Sequence, residues 1–300
     1  MRRDDPYPRN VIVEIWFNEA VNPIAVAGAA PEFQNLRVES SVDPRRVPGE
    51  FRVTNQYRTV EFTPSESCGV NSCGVNTYCL PANAALTVAA LAANLTPAGD
   101  DGAQAVLPFD GVVDMAGNSL DGDRDTLAEG PPVDSYSSAF ATSGDIDRTA
   151  PALEASTPNA EEGSVALDAP ITATFTKIMR TGTLISLNMS FAPQPDYEAW
   201  YAIRSEHLDR DGEVASSTPP VKTRSVWMHG VLRPTTPGVQ YYYFPGITSG
   251  AQDQFQNCFY PGIGPGIGGA GQCVATPDQP YCCNGEPSAN RCPEPYLPAP

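Results

Sequence analysis

Three carboxylate side chains in the segment Asp121-Gly-Asp-Arg-Asp125 are spaced as the ligands of a metal ion often are. They stand at positions i, i+2 and i+4, the spacing with which a loop wraps a hard cation in oxygen ligands. The segment lacks the glutamate that an EF-hand has at its twelfth position, because Glu129 comes too early. The sequence therefore predicts a calcium site formed by Asp121, Asp123 and Asp125, with a solvated acidic turn as the alternative.

Asp209-Arg-Asp-Gly-Glu213 is a second and poorer candidate for a cation loop. Motifs of catalysis do not accompany either segment: there is no Gly-x-Ser-x-Gly elbow, no His-Glu-x-x-His helix and no phosphate-binding glycine loop. His229 alternates with Trp227 in a strand pattern, and His207 lies in the polar run 205–211. We expect both histidines to be structural or surface residues, and we expect no enzyme.

Eight cysteines form two clusters, each with an odd number of members. None belongs to a Cys-x-x-Cys pair, so zinc-finger and haem-attachment spacings are absent. Cysteines in loops rich in Gly, Pro and Asn favour disulfides and an oxidising compartment. If all are oxidised within the chain, at least one disulfide joins the two clusters; otherwise a bond crosses to another chain or thiols stay free. The clusters are Cys68, Cys73 and Cys79, and Cys258, Cys273, Cys282, Cys283 and Cys292.

The overall charge limits the partners of the chain. The net charge is −17, from 18 basic and 35 acidic residues. This balance disfavours nucleic acid and anionic membrane surfaces, both of which attract basic patches. No run of about 18 apolar residues is present to span a membrane. Such a composition is typical of an extracellular protein.

The sequence predicts that the secondary structure around these residues consists of β-strands. With 31 prolines and 25 glycines in 300 residues, few stretches carry a helical apolar period. Ala84–Ala93 would also fit a helix, although its alternation fits a strand. Residues 11, 13, 15 and 17 are all apolar and are expected to face a core. Alternating runs predict strands at Val11–Phe17, Arg58–Thr63, Leu86–Ala90, Ser137–Thr142, Ile171–Phe175, Ser225–Val231 and Gln240–Phe244.

One strand-to-turn pattern occurs twice in the chain. It begins at the strands near Val11 and Ile171, and it closes at the Asp-x-x-x-Asn turns Asp114–Asn118 and Asp253–Asn257. Residues 145–151 are polar, end in proline and link the copies. We therefore predict three parts: a β-sandwich over 1–146 with a cysteine-rich loop at 65–80, a second sandwich over 147–260, and a Gly/Pro- and disulfide-rich tail over 261–300.

In these motifs the chain resembles tandem bacterial Ig-like domains of the S-layer type. The family pattern has a linker ending in Asp-x-x-x-Pro, a strand ending in an aromatic, a Phe-Thr-Pro strand, an Asp-x-x-Gly-Asn turn and a closing Phe-x-Thr strand. The resemblance covers about 1–257. The matching residues are Trp16–Val21, Phe62–Pro64, Asp114–Asn118 and Phe140–Thr142 in the first copy, and Asp147–Pro151, Thr157-Pro158, Ile171–Met179 and Asp253–Asn257 in the second.

The resemblance implies an immunoglobulin-like sandwich of about seven strands in each copy. The first copy has only ten residues before Val11, so the opening strand of the family is expected to be short or missing there, and the second copy lacks the closing Phe-x-Thr strand. Either the chain is an excerpt of a longer array, or a neighbouring chain supplies the missing strand to an open sheet edge.

The expected function is that of a structural extracellular or cell-surface protein. It would be a subunit or repeat of a filament, surface layer or adhesin stalk that assembles with itself or with other surface proteins. An adhesion module for glycans or proteins is the first alternative, with Tyr197, Trp200, Tyr201 and Tyr241–Tyr243 as candidate stacking residues. An accessory domain of a secreted polysaccharide-degrading enzyme is the second.

Overall fold

The computed structural model describes residues 5–42, 46–71, 75–97, 103–159, 162–215 and 219–259. It also describes residue 278 and the backbone of four short strands: 263–264, 273–274, 281–283 and 286–288. Most of the predicted tail at 261–300 therefore lies outside the described residues. The chain divides into two compact units, one comprising Met1–Gly69 and Asn76–Asp147, the other Val70–Val75 and Arg148–Pro300.

The fold is all-β, as the alternating runs predict. Only short helical turns occur in the described residues, at Pro23–Val26 and Thr181–Thr183, and no helix in this part of the chain is long and apolar enough to cross a membrane. The Pro23–Val26 turn, α1, begins where the Asn22 side chain accepts the Ile24 N–H at 3.1 Å and where Pro23 presets the first helical φ. Ala84–Ala93 contains a strand, not a helix.

Two antiparallel sheets make up the first unit. The strands are β1 (Val13–Trp16), β2 (Gly28–Ala30), β3 (Leu36–Ser40), β4 (Gly49–Thr54), β5 (Thr59–Pro64), β6 (Ser67–Val70), β7 (Asn76–Tyr78), β8 (Ala85–Ala90) and β9 (Tyr136–Ala141). One sheet has the order β1-β5-β4-β2 and the other the order β3-β8-β9. Strands β6 and β7 pair as a hairpin that contains Cys68.

Phe51 and Phe62 lie at the centre of this unit. They are paired across β4 and β5, both are buried, and their ring centroids are 4.7 Å apart. The alternation expected at and around β1 is weaker than the sequence suggests: Val11, before the strand, is buried, but Val13, Ile15 and Phe17 are only half-buried. The reason is position, since β1 forms an edge of the sheet built by the described strands.

The second unit is also built from two antiparallel sheets. The strands are β10 (Leu153–Thr157), β11 (Ile171–Phe175), β12 (Met189–Gln194), β13 (Tyr201–Leu208), β14 (Lys222–His229), β15 (Tyr242–Ile247), β16 (Ile263–Gly264), β17 (Cys273–Val274), β18 (Tyr281–Cys283) and β19 (Glu286–Ser288). A four-stranded sheet has the order β10-β11-β14-β13, and β12 pairs with β15. The backbone strands of the tail pair as β16 with β17 and β18 with β19.

The core of this unit lies between its two sheets. Trp227 of β14 is buried and donates from its indole nitrogen to the carbonyl of Ser190 in β12 at 3.0 Å. Phe175 of β11 lies on the same buried face as Ala173 and Ile171 and contacts Phe259 edge to face. The Trp227 side chain therefore buries a large apolar surface while its indole N–H keeps a hydrogen-bond partner.

The two Asp-x-x-x-Asn turns have the same hydrogen bonds. Oδ1 of Asp114 accepts the N–H groups of residues 116 and 118, both at 2.8 Å, and the Asn118 amide donates to the other oxygen at 2.7 Å. Asp253 accepts from residues 255 and 257 at 2.9 and 2.8 Å, and Asn257 donates back at 3.2 Å. The fourth residue of each turn has a positive φ, 90° in one and 66° in the other.

Each turn is also joined to the same part of its own unit. Asp114 forms a bridge with Val21, and Asp253 forms one with Met179. The residue after each aspartate donates to the carbonyl of Ala20 or Ile178, at 3.1 and 2.9 Å. One difference is electrostatic: Asp253 is buried and paired with Lys177 at 2.7 Å, whereas the corresponding position of the first unit holds Glu19. The sequence repeat is therefore also a repeat of local structure.

Candidate functional site

The acidic loop, residues 121–134, connects the Asp114–Asn118 turn region with β9. It contains five acidic residues and one basic residue, Arg124. Gly122 brings the start of the loop against its end: its N–H donates to the Asp134 carbonyl at 2.8 Å, and a Cβ there would lie 2.3 Å from that oxygen. Only glycine allows this approach.

The carboxylates of the acidic loop form two groups that share Asp123. In the first group, oxygens of Asp121, Asp123 and Asp134 lie within 4.8 Å of one another. In the second, the same holds for Asp123, Asp125 and Glu129. The three aspartates singled out by spacing are thus divided between the groups, with Asp121 in one and Asp125 in the other.

Asp134 is the residue that sequence reasoning missed. Its exposed fraction is 0%. Its Oδ2 accepts the N–H groups of Glu129 and Gly130, both at 2.7 Å, while its buried Oδ1 has no hydrogen-bond partner. No local spacing marks Asp134, because it stands nine residues beyond Asp125 and reaches the group only through the fold of the loop.

The other carboxylates of the loop are held by backbone N–H groups. Asp121 accepts from Arg124 and Thr126 at 2.6 and 3.0 Å, one on each oxygen. Asp125 accepts from Leu127 at 2.8 Å. Partial desolvation and the charges of the neighbouring aspartates raise the pKa of Glu129. The loop therefore concentrates negative charge around its own backbone.

The second acidic turn lacks such a group. Asp209 accepts the N–H groups of residues 211 and 213, at 3.0 and 3.1 Å, and Gly212 supplies a positive φ of 84°. Among the described residues, no third carboxylate comes close enough to complete a cation site there. This turn is a hydrogen-bonded connection from β13 toward β14.

The cysteines are disulfide-bonded wherever their side chains are described. Cys68 and Cys79 form a disulfide that closes the β6–β7 hairpin. Cys258 is buried and also disulfide-bonded, with a partner outside the described side chains. Cys73 and Cys292 lie outside the described residues, and Cys273, Cys282 and Cys283 are described only in their backbone.

Both histidines lie in strands of the second unit. His207 of β13 is buried, its Nδ1 lies 2.7 Å from the Thr223 hydroxyl, and burial lowers its pKa to about 2. His229 of β14 stacks on Phe191, with ring centroids 5.8 Å apart. Both contribute to packing within the second unit.

The candidate aromatic residues are divided between packing and exposure. The Arg233 guanidinium lies over the Tyr197 ring, 4.0 Å from its centroid, and Tyr197 hydrogen-bonds Tyr243 at 3.0 Å. Tyr201 packs against Phe191, and Tyr241 contacts Tyr197. Trp200 is 69% exposed and Tyr242 is 56% exposed. Tyr242 borders an open groove lined also by Pro195, Thr235, Thr236, Gly238, Val239 and Gln240.

Comparison with known proteins does not assign the chain to a family: no family model and no curated protein matches it. The likeness to bacterial Ig-like domains therefore stays a prediction from sequence motifs. What the chain does has to be argued from its own residues.

Proposed function

We propose that this chain is a structural protein of the cell exterior or bacterial surface. It serves as a subunit or repeat of a filament, surface layer or adhesin stalk, and it assembles with copies of itself. Its units are Ig-like sandwiches that set spacing and resist unfolding. The proposed role is structural, so it requires no catalytic residue.

The observation that carries the proposal is the duplicated turn. Asp114–Asn118 and Asp253–Asn257 share their side-chain hydrogen bonds, their positive φ and their bridge to a residue that follows the first strand of the repeat pattern, Val21 or Met179. Two copies of one module in tandem are typical of proteins that space or hold other structures.

The disulfides support a location outside the reducing cytoplasm. The Cys68–Cys79 bond and the bonded Cys258 are stable where thiols are oxidised. The Cys68–Cys79 bond joins residues 11 positions apart in the sequence. In the chain-entropy description, a disulfide that closes a loop of this length stabilises the fold by about 3 kcal/mol. Such crosslinks suit a protein that must persist without chaperones.

Strand β15 is the edge through which we propose that copies join. In the first unit, β8 has β3 on one side and β9 on the other. Its counterpart β15, which precedes the second Asp-x-x-x-Asn turn, is paired only with β12 among the described strands. Phe244 of β15 is 50% exposed. A strand from a neighbouring copy would complete this sheet as β9 completes the first.

Electron microscopy of the purified, oxidised protein tests the proposal. We expect filaments or ordered lattices whose repeat distance fits a chain of two sandwich units. Dispersed particles of single chains at every concentration would argue against a structural assembly.

A second function, adhesion to a glycan or protein, is favoured by the groove beside Tyr242. Exposed rings stack on sugar faces, and the polar side chains of Thr235, Thr236 and Gln240 line the same groove. Binding on a glycan array that Tyr242→Ala abolishes, in a protein that does not assemble, would favour adhesion. The same binding would suit an accessory domain of a secreted polysaccharide-degrading enzyme.

A further inference from the structure

We propose that Asp121, Asp123 and Asp134 form a calcium-binding site in the first unit. The inference is independent of the proposed function, since a calcium ion could stabilise a sandwich that assembles or one that binds a ligand. It also differs from the set indicated by sequence spacing, because Asp134 takes the place of Asp125.

The buried carboxylate of Asp134 is the observation that points to a ligand. Its Oδ1 is inaccessible to solvent and lacks a hydrogen-bond partner, although its Oδ2 accepts two backbone N–H groups. A buried charge is retained in proteins when it is paired or coordinates a metal. Among the described residues, none of the acidic loop's carboxylates forms an ion pair with a basic side chain. A bound cation would supply the missing partner.

The charge of the group favours a cation over a water molecule. A water could donate to the Asp134 oxygen, but it would leave the repulsion between three adjacent carboxylates in place. That repulsion grows where solvent is displaced, because the effective dielectric constant falls. A divalent ion cancels most of the charge and satisfies all three carboxylates at once.

The number of protein carboxylates favours calcium over magnesium. Calcium binds oxygen at about 2.3–2.6 Å, so two of its ligands can lie up to about 5 Å apart. Oxygens of Asp121, Asp123 and Asp134 lie within 4.8 Å of one another, which fits this limit. Magnesium gives up its water molecules reluctantly and is usually bound by one or two carboxylates, whereas calcium accepts a larger set of protein oxygens.

The group is also pre-organised by residues that are not ligands. Asp134 is fixed by the N–H groups of Glu129 and Gly130. Gly122 brings Asp121 and Asp123 over the Asp134 backbone, where any side chain would clash. One ligand is therefore rigid and buried, while the two others come from the accessible part of the loop.

The experiment is calorimetric titration of the full chain, treated first with a chelator, with calcium chloride. We expect one ion to bind per chain and calcium to raise the melting temperature. Asp123→Asn and Asp121→Asn should each weaken calcium binding by about tenfold or more, because a charged ligand is lost. Asp134→Asn should also weaken calcium binding. If this variant does not fold, Asp121→Asn still tests the site.

Two matched variants serve as controls. Asp211→Asn removes the same charge from an exposed position in the second acidic turn, and it should leave calcium affinity unchanged. Asp125→Asn tests the neighbouring group of Asp123, Asp125 and Glu129, and it should also have little effect. The proposal is overturned if calcium neither binds nor stabilises, or if Asp125→Asn abolishes binding while Asp121→Asn does not. An equal response to magnesium would overturn the assignment to calcium.

Discussion

At the scale of single residues, the pairing of His207 with Thr223 shows how polar groups are accommodated inside the second unit. The Thr223 hydroxyl accepts the Met179 N–H at 2.9 Å and lies 2.7 Å from Nδ1 of His207. Two residues away on each of the same strands, the hydroxyls of Ser205 and Ser225 are 3.0 Å apart. Because these groups hydrogen-bond each other, their burial costs little.

We predict that His207 makes the second unit sensitive to acid. In the folded state burial lowers its pKa to about 2, whereas an unfolded histidine titrates near pH 6.5. The unfolded state therefore binds the proton first, and stability falls as pH drops below about 6.5, by about 2 kcal/mol by pH 5. Urea unfolding of the wild type and of His207→Gln at several pH values measures this loss.

The control for this prediction is the other histidine. His207→Gln should lose the histidine part of the acid slope, while His229→Gln should keep it. If the wild type and His207→Gln lose stability in parallel between about pH 7 and pH 5, burial of a neutral His207 is not what makes the fold acid-sensitive.

The acidic loop shows how far a candidate site could be predicted from spacing. Asp121 and Asp123 follow a local pattern, and the structure brings them together. Asp134 could not be found in this way, because its burial and its bonds to residues 129 and 130 depend on how the loop closes. Local spacing identifies ligands that are near in sequence, and the fold adds the remote one.

At the scale of elements, period-two alternation was a good guide where a strand has neighbours on both sides. Ile171–Phe175 was predicted with the bounds that β11 has, and its residues alternate between buried and half-buried. On β5 the pattern is obscured, because residues 59–62 are all buried, Glu61 included. Alternation reports one covered face, so it fails where both faces are covered and weakens at a sheet edge such as β1.

The hairpin of β6 and β7 leads to a prediction about disulfide pairing. Cys68 and Cys79 are bonded to each other, so Cys73 has no partner left in its own cluster. Two residues before it, the Asn71 side chain donates to the Gln256 carbonyl at 2.7 Å, and Gln256 lies two residues before the bonded Cys258. We expect Cys73 to be the partner of Cys258.

Peptide mapping without reduction measures this pairing. Mass spectrometry of a digest should contain a peptide linking Cys73 to Cys258, and Cys73→Ser should leave Cys258 free for alkylation. A peptide joining Cys258 to Cys273, Cys282, Cys283 or Cys292 would contradict the prediction.

In the whole molecule, two units repeat one strand-to-turn pattern, but they differ in the strands that flank their sheets. The first unit has a three-stranded sheet, β3-β8-β9, where the described part of the second has only β12 and β15. The second unit in turn adds β10 beside β11, while β1 has only β5. The duplication was visible in sequence, because its turns use Asp and Asn at fixed positions. The sequence does not show which sheet edges remain open, because strand pairing joins residues that are far apart in the chain.

The most direct test of the proposed assembly is a comparison of Phe244→Lys with the wild type by light scattering under oxidising conditions. A lysine on an edge strand opposes the addition of another strand, so this variant should remain at the mass of a single chain while the wild type forms larger species. Leu187→Lys is the matched control: Leu187 is 80% exposed in the same unit but lies outside the strands, so this variant should assemble like the wild type. A wild type that remains a single chain at every concentration, or a Phe244→Lys variant that assembles normally, would contradict assembly through β15.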